Sequence, residues 1–154
     1  MQGASAVLIY GSIDSPLAQP RALIGGHFIG AVVGVSISKL FQFLPPERYA
    51  DLQWLAGSLS VSLSIVAMQF TKTVHPPAGA TALFAAVNQQ VIDLSWYLIP
   101  VVLLSSTLAL VVALLVNNIQ RRYPVFWFMA DAPLSGASLA PLSGREDVQV
   151  NHSK

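Results

Sequence analysis

The chain has 154 residues with 8 Lys or Arg and 7 Asp or Glu, so only 10% are charged while 54% are hydrophobic. A soluble domain is roughly 25% charged, and a fold of this size could not cover its surface with so few charges; this excludes a soluble enzyme and a disordered chain and points to a bilayer as solvent. A net charge of +1 leaves no basic footprint for nucleic acid, and the absence of cysteine removes disulfides, thiolate metal sites and cysteine nucleophiles.

Taken in chain order, residues 4–10 (ASAVLIY) are apolar but too short to span. They read as the tail of a further helix or as a short interfacial piece, and no positive stretch precedes them as a signal peptide requires. A hydrocarbon core of roughly 30 Å takes about 20 apolar residues as a helix. Residues 22–43, 52–71, 73–92 and 94–120 approach or meet that length, with Lys39 as their one formal charge and His27 and His75 as neutral-reading interruptions. The connections at 11–21, 44–51, 71–75 and 93–95 are short and carry the Pro, Gly, Asp and Ser that punctuate helices. The reading is an all-α, polytopic transmembrane helical bundle of about four spanning segments plus the N-terminal remnant of another helix. It occupies residues 1–130; YPVFWFM (123–129) suits the headgroup level, and residues 131–154 read as a disordered polar tail.

Ser58, Ser60, Ser62 and Ser64 alternate with apolar residues at a strand period. A lone strand in a bilayer would leave its backbone unpaired, so the segment is expected to be helical, its serines bonding to carbonyls or across to other helices. Lys and Arg close to the spans favour the side holding Arg21, Lys72, Arg121 and Arg122 over the side holding Lys39 and Arg48. The positive-inside rule makes the first side cytoplasmic or its organellar equivalent.

Small residues recur every fourth position at Ala22, Gly26, Gly30, Gly34 and Ser38, a stripe suited to close helix approach. Its partner is either another helix of the chain or a second copy, which would make a homo-oligomer through the stripe. Ala78, Ala82 and Ala86 form a shorter seam.

Two helix starts fall on the Arg21/Lys72 side. PLAQPR (16–21) and KTVHPPAGAT (72–81) both place proline where an apolar helix opens, with Gln19 or His75 forced extended before it. Helix N-termini attract anions, so the candidate substrate-binding residues for a small anion are Gln19, Arg21, His27, Lys72, His75, Pro76, Pro77, Ala78, Gly79 and Thr81. In this reading Arg21 and Lys72 concentrate the anion, the amides of residues 78–80 coordinate it, His75 and Thr81 donate, and Gly26, Gly30 and Gly34 hold the helices together. The competing reading makes HPP a tight turn, Arg21 and Lys72 topology-setting charges, and His27 a hydrogen-bonded packing residue. Asn88-Gln89-Gln90 reads as an interfacial exit or a polar path lining, and Asn117-Asn118 as a helix end. The aspartates form no paired-carboxylate set and the three histidines show no metal-ligand spacing, so neither an enzyme nor a metal or other cofactor is expected.

HPPAGATAL (75–83), SPLAQPR (15–21) and GGH (25–27), with GASAV (3–7) and the run ending at Trp127, resemble the HPP family of small integral membrane proteins over roughly residues 3–130. That resemblance implies a four-span helical fold, makes His75, Pro76 and Pro77 the signature, and pairs it with Gln19, Pro20, Arg21, Gly26 and His27. It also implies nitrite as the anion, since some plant chloroplast and cyanobacterial members are associated with nitrite transport. Family members usually lead into GASAV with a full apolar helix, where this sequence has Met1-Gln2; it reads as a shortened member or an incomplete chain. The rival function is a structural or assembly subunit of a membrane complex, which an outward-facing glycine stripe would favour.

Overall fold

A computed structural model describes residues 2–119 and 122–128, and the expected polar tail at 131–154 lies outside them. The described residues form helices α1 (Gln2–Gly11), α2 (Pro20–Phe41), α3 (Pro46–Phe70), α4 (Pro76–Val87), α5 (Gln89–Leu94) and α6 (Leu98–Asn117), with single 3₁₀ turns at Pro16–Ala18 and Ser95–Tyr97. Proline opens α2, α3 and α4 within their first two positions, where its missing N–H costs nothing. Three stretches, Pro20–Phe41, Pro46–Phe70 and Gln89–Asn117, are long and apolar enough to cross a membrane. The last has a mean hydropathy of 2.7 and turns most of its surface outward, as lipid-facing helices do. Exposed Leu104, Leu108, Val111, Leu115 on α6 and Leu63, Val66 on α3 form part of that exterior.

The expected third span, 73–92, is not one helix. α4 has 12 residues, about 18 Å of rise, and it stops at Asn88 (φ −95°, ψ 116°), whose side chain caps α5 by accepting from the Val91 amide. The chain bends again at Ser95, where φ is 51°. Capping by Asn outweighs the continuous hydropathy that had suggested an unbroken segment. Asn88 is thus a helix break, while Gln89 lies exposed with its amide on Asp93. Asn117 and Asn118 do end α6: Asn118 binds Leu114 O and both backbone groups of Tyr123, and Asn117 donates to Ile9 O on α1.

α2 is the central helix, packed against α3, α4 and α6, with α1 alongside α6. α2 and α4 approach through two stripes of small residues. A Cβ on Gly34 would lie 2.7 Å from both Ala82 O and Ala85 Cβ, and one on Gly30 would collide with the Ala78 carbonyl oxygen. Ala78, Ala82, Ala85 and Ala86 are all buried on the α4 side. The glycine stripe therefore meets a helix of its own chain. Around it lie two apolar clusters: Ala31, Val35, Ala85, Leu98 and Val102 towards the C-terminal half of α2, and Ile9, Ile13, Ala18, Leu23, Ala113 and Tyr123 towards its start.

The serine run is helical as expected. Ser58, Ser60 and Ser62 each donate to the carbonyl four residues back and Ser64 to that three back. Satisfying the hydroxyls within α3 lets them tolerate either a buried or an outward position.

Candidate functional site

Three elements meet at the first turns of α2 and α4. Gln19 and His75, both extended before a proline, are the N-cap residues. This conformation turns the His75 side chain inward towards α2, where Gly26 makes room: a Cβ on Gly26 would stand 2.6 Å from His75 Cβ and 3.1 Å from Thr73 O. His27, the next residue of α2, meets His75 edge to face with ring centroids 5.1 Å apart. Ser5 comes in from α1 and Thr81 from the second turn of α4. Ser5, His27, His75 and Thr81 are all fully buried.

One chain of hydrogen bonds joins them. Ser5 Oγ lies 2.8 Å from His27 Nε2 and 2.9 Å from His75 Nε2, His27 Nδ1 is 2.8 Å from Thr81 Oγ1, and His75 Nδ1 is 2.9 Å from Leu17 O. A carbonyl only accepts, so His75 Nδ1 carries a proton, and with neutral rings every other role follows. Thr81 donates to His27 Nδ1, His27 Nε2 donates to Ser5, Ser5 donates to His75 Nε2, and His75 Nδ1 donates to Leu17 O. Buried polar groups are expensive unless paired, and here all four ring nitrogens are.

Gln19 is the second fixed point. Its amide nitrogen donates to Ile13 O and Ser15 O at 2.9 Å each, and its oxygen accepts from the amides of Val125 at 3.0 Å and Phe126 at 3.4 Å. The segment following α6 is thus strapped across the start of α2. Tyr123 adds a 2.7 Å bond to Ala18 O, and burial, with Tyr10 nearby, pushes its phenol up to about 12. Arg21, exposed, donates to Phe128 O at 2.8 Å and to Thr71 O at 2.9 Å. It ties the strap to the turn before α4. Lys72 is exposed in that turn with φ 54°.

The sequence-derived candidates therefore separate. His27, His75 and Thr81 converge in one buried cluster. Gln19 and Arg21 are structural clamps around it, Pro77 is buried and Pro76 exposed at the helix start. The amides of residues 78–80 do not form the expected anion cradle. Pro76 and Pro77 have no N–H, Ala78 N donates to His75 O at 2.9 Å, and Gly79 and Ala80 lie where helical amides bond one turn back. Ser5 and the 122–128 strap were missed by sequence reasoning. An aliphatic hydroxyl in the apolar run 4–10 was the available signal for Ser5, and the aromatic run 123–129 had marked the strap only as a headgroup-level segment.

A buried polar chain within helices that suit a bilayer defines a polytopic helical membrane protein. The chain matches the family model described as HPP, transmembrane region, over residues 2–124, and it belongs to that family. It is 44% and 46% identical, over 128 residues, to two transmembrane proteins of Dictyostelium discoideum. The match covers 81% of this chain but 40% and 43% of those relatives, so the chain spans less than half their length. No solved structure matches.

Proposed function

We propose that this integral membrane protein is a transporter of a small anion, nitrite by family resemblance, with the His27–Ser5–His75–Thr81 cluster on its path. The observation that supports this reading is the burial of two imidazoles inside a membrane bundle. Ionisable groups at such positions are costly and mark ion pathways by default. Each ring can present a donor to an anion, and Arg21 and Lys72 flank the same end of the bundle, where they raise the local anion concentration. The break in the third apolar segment at Asn88 also has the form of the discontinuous helices that build transporter sites. The Arg21/Lys72 face is the cytoplasmic or equivalent organellar side in this reading.

A specific observation favours the rival, a non-transporting structural subunit: every polar atom of the cluster, and Gln19 with it, is satisfied within the chain. Nitrite uptake into proteoliposomes holding the purified chain separates the two. A transporter gives uptake that falls on His75→Ala and weakens in the Arg21→Gln, Lys72→Gln double variant. Folded protein with uptake no greater than empty liposomes rejects transport.

A further inference from the structure

We infer that His27 and His75 together form a binding site for one proton, shared through the Ser5 hydroxyl. Counting donors along the chain of bonds leads to this site, whichever solute the protein carries. With both rings neutral, all four bonds point from Thr81 to the Leu17 carbonyl. A proton added at His27 makes Nδ1 a donor to Thr81 Oγ1, and the other three bonds are unchanged. The displaced Thr81 hydroxyl proton turns towards the carbonyl one turn back, the arrangement that buried Ser60 and Ser106 already adopt.

Moving the charge from His27 to His75 needs only two short shifts. His27 Nε2 passes its proton to Ser5, and Ser5 passes its own to His75 Nε2. Afterwards Ser5 donates to His27 and accepts from His75, and no bond of the four has been lost. The two charged forms therefore differ in proton position alone, in a cluster that needs no side-chain movement to exchange them.

A second proton does not fit. Both Nε2–H groups would then point at Ser5, whose hydroxyl proton would have to leave the chain, and two cations would face each other with centroids 5.1 Å apart in a site sealed from water, where like charges disfavour each other strongly. The groups that bond to the pair are neutral, Ser5 from α1, Thr81 from α4 and the Leu17 carbonyl from the 3₁₀ turn, and the N-terminal amine is a positive charge that acts on His27 from the start of the chain. The charged side chains of the adjoining segments, Asp14, Arg21 and Lys72, are exposed. Tyr10 of α1 spends its hydroxyl on Ala109 O of α6. Lys39 of α2 and Glu47, Arg48, Tyr49 and Asp51 of α3 lie at the far ends of those helices from His27 and the 71–75 turn, and α6 contributes no titratable side chain.

The test is ¹⁵N NMR of the histidine-labelled full chain in lipid bilayers, with His152→Gln to leave two rings, from about pH 8.5 to about pH 4. The expected high-pH state has His27 as the Nε2–H tautomer and His75 as the Nδ1–H tautomer. On acidification the summed ring charge rises to one and stops there, with exchange-averaged signals from both rings; Ser5→Ala abolishes the averaging. The opposite tautomers, a summed charge reaching two, or no proton taken up across the range would each overturn the inference. The tautomers and the total charge are read from the chain with Ser5 intact, so they decide the matter even where a Ser5→Ala variant fails to fold.

Discussion

The contact between α2 and α4 has two ends that solve the same problem differently. Around Gly30 and Gly34 the helices meet with almost no side chain between them, and the Ala82 and Ala85 surfaces fill the gap. One turn nearer the start of α2, Gly26 clears space of the same kind, but His75 and His27 occupy it and hydrogen bonds replace bare packing. In lipid, where lipid tails remove the usual hydrophobic drive between helices, close approach and polar pairing are the two available cements. The dry end fixes how near the helices come; the polar end fixes which residues meet, because each ring nitrogen accepts a single partner geometry.

That contrast can be broken most severely at the dry end. Gly30→Leu drives a side chain into the Ala78 carbonyl, backbone that has nowhere to move, and is expected to cost about 3 kcal/mol or more, at or above the top of the usual overpacking range. Loss of the monodisperse folded protein in detergent, seen by size-exclusion chromatography, is the readout. A Gly30→Leu chain as stable as the parent would mean the helices are not held by the stripe.

The polar end should respond less in stability and more in activity. His75→Ala leaves Leu17 O without this partner and Ser5 with His27 alone, a penalty of about 1–3 kcal/mol for the one group left unsatisfied. The thermal midpoint is expected to fall, and the nitrite uptake proposed above to fall with it. Thr81→Val removes one donor and keeps the shape; it should lower the midpoint by roughly half as much as His75→Ala, and equal losses would show that the chain of bonds acts as one unit rather than link by link.

The perimeter should respond least. Arg21→Gln frees one tie of the 122–128 strap, and Tyr123 and Gln19 keep the others. Stability should stay within about 0.5 kcal/mol of the parent, while proteolysis near Phe128 quickens. Lys72→Gly sharpens the electrostatic question. It deletes the charge and relieves a backbone at φ 54°, a strain of about 1 kcal/mol, and in the proposed transporter nitrite uptake should slow. A variant equally fast would remove Lys72 from the anion reading.

Composition and spacing determined much of this molecule. Three of the four long, nearly uncharged stretches form helices long and apolar enough to cross a membrane, and in a bilayer no other backbone arrangement satisfies its own amides short of a closed barrel. The four-residue repeat of glycine read as a packing seam, and HPP and QPR as helix openings, because proline lacks the N–H that helix interiors need. Even His27, His75 and Thr81 stood out, His27 as an ionisable group at depth and the other two as donors at a helix start. What only the tertiary structure decided is which groups face one another. Ser5 bridges two rings that lie 22 and 70 positions away along the chain, and Gln19 closes on amides more than a hundred residues distant. Hydropathy also carried the third segment straight through Asn88, where a side-chain cap ends the helix. Pattern along a chain reports the preference of each segment for helix and for lipid. Hydrogen-bond partners belong to pairs of segments, and a pair has no signature in either segment alone.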